Sequence, residues 1–124
     1  MRIGILFALL LTATTVSAGQ PVPVIVGGDE NMDACPSLAR PNALPADQLT
    51  VHAGPSASQP VIDTLKMGAD IWVCRGEAGW IGVVYPDKPN QDCGIHSPIE
   101  KETAYPGPCK SGWVRETALE IVAG

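Results

Sequence analysis

The chain has 124 residues, with 8 Lys and Arg against 13 Asp and Glu, and a formal net charge of −5. This length suits a single domain. The sequence has no basic stripe, so nucleic acid and a bare anionic membrane surface are poor partners, because both require clustered cations.

The first 18 residues have the pattern of a secretory signal peptide. Arg2 supplies the positive start, residues 3–11 form an apolar run, and Val16-Ser17-Ala18 offers small residues to a signal peptidase. A membrane anchor is the alternative, but the run is well short of the roughly 20 apolar residues that span a bilayer. We therefore expect cleavage after Ala18 and a periplasmic or secreted location for residues 19–124.

Residues 19–48 are predicted to form an extended arm. They are rich in Pro, Gly, Ala and acidic residues, and Pro36, Pro41 and Pro45 argue against a long helix. One short strand is expected within the arm, at residues 24–26.

From residue 49 onward, short apolar stretches alternate with turn residues. Leu49-Thr50-Val51-His52-Ala53 alternates apolar and polar side chains, as a half-buried strand does. Gly76-Glu77-Ala78-Gly79 predicts a hairpin turn, and a long loop is expected at about residues 86–111. This pattern predicts a small all-β barrel or sandwich. The predicted strands are residues 49–53, 61–65, 70–75, 80–85, 112–114 and 119–122.

All four cysteines, Cys35, Cys74, Cys93 and Cys109, follow the predicted signal peptide. An even number in a short exported chain predicts two disulfides, which would support a small core. Four cysteines allow three pairings. We favour Cys93–Cys109, which closes the long loop and contributes roughly 3 kcal/mol through chain entropy. Cys35–Cys74 would then tie the arm to a strand. The alternative is Cys35–Cys109 with Cys74–Cys93.

Six short motifs follow one another between residues 49 and 119. They are Leu49-Thr50-Val51, Gly54-Pro55-Ser56, Val61/Leu65/Gly68, Ile71/Val73, Gly79-Trp80…Val83 and Gly112-Trp113-Val114…Leu119. Each is weak alone, but in this order they resemble the bacterial SH3 (SH3b) domain family. The resemblance implies an SH3-like barrel of about five short strands over residues 49–124, with the long loop as an insertion.

The cysteines make the chain more similar to an exported, cysteine-containing subgroup of that family. The matching residues are Cys74, Cys93-Gly94…Ser97-Pro98 and Gly107-Pro108-Cys109. The chain departs from the family at two places. His52 stands where the family often has Arg, and the loop at 86–111 is long enough to cover a groove that shorter relatives use.

The structural core is expected to be centred on Trp80, Trp113 and Val114. Each tryptophan follows a glycine at the start of a strand and can bury its ring against Leu and Val faces. The remaining core positions would be Leu49, Val51, Val61, Leu65, Ile71, Val73, Val83 and Leu119.

Trp72, Tyr85 and Tyr105 are the candidate ligand-binding residues, since exposed aromatic side chains receive extended ligands in SH3-type grooves. Strand alternation points Trp72 away from the face of Ile71 and Val73, either into solvent or beneath the arm or loop. Tyr85 and Tyr105 could instead pack the base of the loop.

The resemblance implies a non-enzymatic binding module whose partner is a peptide, peptidoglycan or a protein of the cell envelope. The alternative is an inhibitor or immunity-type protein that inserts the loop closed by Cys93 and Cys109 into a lytic enzyme or toxin.

Catalysis, metal binding and a cofactor are not expected. Cys93 and His96 are close in sequence, but a disulfide sulfur is not a nucleophile, and no G-x-S-x-G motif occurs. His52 and His96 have no zinc-site spacing, and oxidised cysteines cannot ligate a metal. We expect His52 on the surface of a strand and His96 in an exposed loop.

Overall fold

The computed structural model describes residues 4–11, 19–42 and 48–124. The described part is all-β with one 3₁₀ turn, Glu116–Ala118, and contains no α-helix. Residues 4–11 have no regular secondary structure and their apolar side chains are exposed; the remaining residues of the predicted signal peptide lie outside the described ranges. The strands are β1 (Ile25–Val26), β2 (Ser37–Pro41), β3 (Gln48–His52), β4 (Val61–Lys66), β5 (Ile71–Glu77), β6 (Trp80–Tyr85), β7 (Thr103–Ala104), β8 (Lys110–Arg115) and β9 (Leu119–Ala123).

The strands form two antiparallel sheets. Seven of them pair in the order β4-β3-β8-β6-β5-β2-β9, and β1 pairs with β7. The all-β prediction is therefore confirmed. The larger sheet has β4 and β9 as its edges, so the pairing of the described strands does not close into a barrel.

The hairpin between β5 and β6 lies where the glycines at 76 and 79 predict it. Glu77 pairs with Trp80, so only Ala78 and Gly79 form the turn. Both have positive φ, 49° and 84°, which is the geometry of a two-residue turn whose twist matches the flanking strands.

The segment predicted as an arm also contributes a strand to the larger sheet. Strand β2 pairs with β5 on one side and with β9 on the other. Its sequence, Ser37-Leu38-Ala39-Arg40-Pro41, has little β-branched character and a proline at its end. These features favour irregular structure locally, so the strand depends on pairing with distant neighbours.

Two cores lie on opposite faces of the larger sheet, where the sequence predicted one. We call the first the arm-side core; its buried members are Val24, Val26, Ala34, Cys35, Trp80, Val84, Cys93, Ile95, Cys109 and Trp113. We call the second the far-side core; it contains Ala39, Leu49, Val51, Ile71, Ile81, Val83, Tyr85, Val114 and Leu119.

Alternation along the strands explains why both cores are needed. Val83 and Val84 are adjacent in β6, point to opposite faces and belong to different cores. For the same reason Trp113 packs on the arm side and Val114 on the far side, so the expectation of one shared core was wrong. Val61 was also wrongly predicted, since it is 53% exposed on the edge strand β4.

The favoured disulfide pairing is the one found. Cys35 is bonded to Cys74 and Cys93 to Cys109. Cys74 is the extra residue at a register shift between β5 and β6, because Val73 pairs with Val83 and Arg75 with Gly82. Strand alternation places Cys74 on the same face as Trp72, towards the arm-side core, where Cys35 is buried.

A substitution at Gly112 tests the close contact between β8 and β3. A Cβ at this position would overlap Val51 Cγ1 and lie 3.1 Å from the carbonyl oxygen of His52. We expect Gly112→Ala to lower the free energy of unfolding by about 1–3 kcal/mol through overpacking, as measured by urea denaturation.

Gly76→Ala is the matched control, because Gly76 also lies in a strand and a Cβ there meets nothing within 4 Å. Equal stability of the two variants would contradict the close packing of β8 on β3.

Candidate functional site

Trp72 and Tyr105, two of the predicted ligand-binding residues, pack against the arm-side core. The indole of Trp72 is half-buried and makes an edge-to-face contact with the exposed His96 of the long loop, with ring centroids 4.4 Å apart. Of the two positions that the sequence allowed for Trp72, the structure shows the packed one.

Tyr105 fastens the long loop at its disulfide. Its hydroxyl donates a hydrogen bond to the carbonyl oxygen of Cys93, 2.6 Å away, and accepts one from the backbone N–H of Cys109 at 3.2 Å. Burial raises the pKa of the Tyr105 hydroxyl above its ordinary value. These contacts hold the loop on the sheet, which is a structural role.

Tyr85 lies on the opposite face and is not brought together with the other two aromatic residues. It is 3% exposed, belongs to the far-side core and donates its hydroxyl hydrogen to Asp63 Oδ2 at 3.0 Å. Burial, reinforced by the hydrogen bond and charge of Asp63, raises the pKa of Tyr85. The Lys110 ammonium lies 3.5 Å from Asp63 and 3.2 Å from Asp87.

His52 is more enclosed than the sequence suggested. Its ring is half-buried, makes an edge contact with Trp80 at 5.0 Å, and donates from Nδ1 to the carbonyl oxygen of Gln59 at 2.9 Å. Arg115 stacks on the same indole, 4.7 Å from the ring centroid. The three side chains lie at the ends of their strands, His52 in β3, Trp80 in β6 and Arg115 in β8.

Strand β4 is an edge of the larger sheet and exposes apolar side chains. Strand β4 pairs only with β3 among the described strands, and Val61 and Ile62 are 53% and 52% exposed. An edge strand presents unpaired N–H and C=O groups along its outer side. The other edge strand, β9, also exposes an apolar side chain, that of Ile121, at 52%.

Two grooves adjoin β4. The aliphatic groove, of about 290 Å³, lies between Ile62 and the arm residues Pro21 to Val24. The tyrosine groove, of about 270 Å³, lies between Leu65 and the segment that leaves β6. Its lining is Leu65, Ala69, Asp70, Tyr85, Pro86, Asp87, Lys88 and Pro89. Sequence reasoning missed both grooves, because each depends on how distant segments pack.

The described residues offer neither a free thiol nor a cluster placed to hold a metal ion. All four cysteines are in disulfides, and no group of three or more His, Cys, Asp and Glu side chains is placed to hold a metal ion. Across the same residues, no helix has the length and apolar character needed to cross a membrane.

Comparisons of the chain with protein-family models, with curated proteins and with solved structures find no match.

The burial of the Tyr85 hydroxyl, together with its hydrogen bond to Asp63, predicts a loss of stability at high pH. Because the folded-state pKa of Tyr85 is raised above the unfolded value of about 10, its contribution is fully present below that value. The contribution is lost as the pH rises above 10, where only the unfolded chain releases the proton.

We expect the free energy of unfolding to fall more steeply between pH 9 and pH 11 in the wild type than in Tyr85→Phe, as measured by urea denaturation. The variant should be less stable at pH 8 by about 1 kcal/mol, for the lost hydrogen bond. Parallel pH profiles would contradict the raised pKa.

Proposed function

We propose that this chain is a non-enzymatic, exported binding module of the SH3b type that binds an extended segment of another protein of the cell envelope. The observation that carries the proposal is strand β4, an edge strand with two exposed β-branched residues and a groove at each of two positions along it.

Two features support export and binding over catalysis. Two disulfides suit an oxidising compartment outside the cytoplasm, in agreement with the signal-like first 18 residues. The same disulfides occupy all the thiols, so no cysteine nucleophile is present.

Strand addition is the binding mode that fits this surface. An extended peptide that pairs with β4 gains backbone hydrogen bonds, and pockets beside the strand select its side chains. Ile62 lines the aliphatic groove and Leu65 the tyrosine groove. These positions are about 10 Å apart at the usual rise along a strand. One bound segment of four or more residues therefore reaches both grooves.

Binding of a cell-wall peptide and inhibition of an enzyme by an inserted loop both fit this surface less well. Cell-wall peptides are short and contain D-residues, which disturb regular pairing with an L-strand. An inhibitor that inserts its loop into a target needs that loop to project. Here the loop is fastened along its length, since Cys93, Ile95 and Cys109 are buried in the arm-side core and β7 pairs with β1.

Selection from a library of displayed L-peptides, with the purified protein as target, tests the proposal. We expect enriched peptides to be extended and to bind at β4. Ile62→Glu should weaken their binding at least tenfold in isothermal titration, because it places a charge at the aliphatic groove.

Ile121→Glu is the control, because Ile121 is equally exposed but lies on the opposite edge strand, β9. Its affinity should match that of the wild type. Enrichment of no peptide, or enriched peptides that bind Ile62→Glu as tightly as the wild type, would refute peptide binding at β4.

A further inference from the structure

We infer that the tyrosine groove is a specificity site for a Lys or Arg side chain of the bound protein segment. The inference rests on the proposed function, which supplies the segment, and adds the chemical class of residue that the segment must carry. The groove combines an apolar floor with carboxylates at its rim.

The floor of the groove suits the alkyl stem of a long basic side chain. Its apolar lining residues are Leu65, Ala69, Pro86 and Tyr85. The Tyr85 hydroxyl already donates its hydrogen to Asp63, so the groove contains no unsatisfied donor from this residue. Lys and Arg bury their methylene stems against such surfaces and keep the charged end in water.

The rim supplies the opposite charge. Asp70 and Asp87 both line the groove, and their side chains are about half exposed, at 53% and 48%. Lys88 is the one cation among the lining residues, and two further cations reach the aspartates from outside the lining. The net charge of −5 over the whole chain also favours the approach of a basic segment.

The present partners of these carboxylates are easily replaced. Asp70 is bridged by Arg40 at 3.2 Å and Asp87 by Lys110 at 3.2 Å, and the side chains of both cations are 50% exposed. Exposed ion pairs of this kind contribute little, since water competes for both charges. A ligand cation whose stem is packed on the groove floor adds an apolar contact that the resident pairs lack.

NMR titration of the purified protein with Nα-acetyl-lysine methylamide tests the inference, with the norleucine analogue as the uncharged probe of the same length. We expect lysine to shift the amides of Leu65, Asp70 and Asp87, and to bind at least about fivefold more tightly than norleucine. In the double variant Asp70→Asn/Asp87→Asn, the lysine affinity should fall to that of norleucine.

The double variant Glu77→Gln/Glu100→Gln removes the same two charges from exposed positions outside the groove and should bind lysine like the wild type. Equal affinity of the wild type for lysine and norleucine, or no shift with lysine, would overturn the inference whether or not the aspartate variant folds. The small probes do not pair with β4. A lysine response without any enriched library peptide would therefore refute strand addition alone, and enriched peptides with no preference for Lys or Arg would refute the basic-residue site alone.

Discussion

The rest of the structure depends on one constraint, that both faces of β6 must be buried. This strand lies between β5 and β8 in the larger sheet, and every one of its six residues is buried. The far face is covered by residues of the sheet's own strands. The other face needs the arm and the long loop, because the chain has only three tryptophans, two tyrosines and one phenylalanine.

Hydrogen bonds and disulfides hold the arm and the long loop on that second face of β6. The indole N–H of Trp113 donates to the carbonyl oxygen of Val22 at 2.8 Å, and the N–H of Tyr105 donates to that of Val24, also at 2.8 Å. Gly82 leaves the room for this approach, since a Cβ there would lie 3.0 Å from Val24 Cγ1. The Cys35–Cys74 bond fastens the arm to β5, and the Cys93–Cys109 bond closes the loop.

The aromatic residues are used mainly to pack the chain against its own sheet. Trp72, Trp113 and Tyr105 hold the arm and loop against the sheet, so the face that carries them is occupied by the chain itself. Tyr85 is the exception, because its ring also forms part of a groove wall. The β4 edge stays accessible, because Val61 and Ile62 are exposed there and no described strand other than β3 pairs with it.

Local signals allowed much of the fold to be predicted, and long-range packing explains what was missed. The strands β3 to β6 begin and end close to the predicted bounds, because alternation and the glycines at 76 and 79 are encoded within each segment. Strand β2 was missed because Ser37 to Pro41 has a weak local preference and gains its structure from β5 and β9. Tyr85 was named from the sequence as a ligand-binding candidate, but Asp70 and Asp87 become part of the same groove only when the β4–β5 turn packs near the end of β6.

Strand β4 is only partly protected against pairing with another strand. The protecting features lie at its two ends, which agrees with a binding role. Natural edge strands avoid indefinite pairing through prolines, lysines and bulges. Here Pro60 precedes the strand, Lys66 ends it, and its register with β3 shifts between Val51 and His52. Val61 and Ile62 remain exposed between these features. A long foreign strand would meet the proline at one end and the charge at the other, whereas a short segment fits between them. An edge of this kind favours one short partner strand over aggregation.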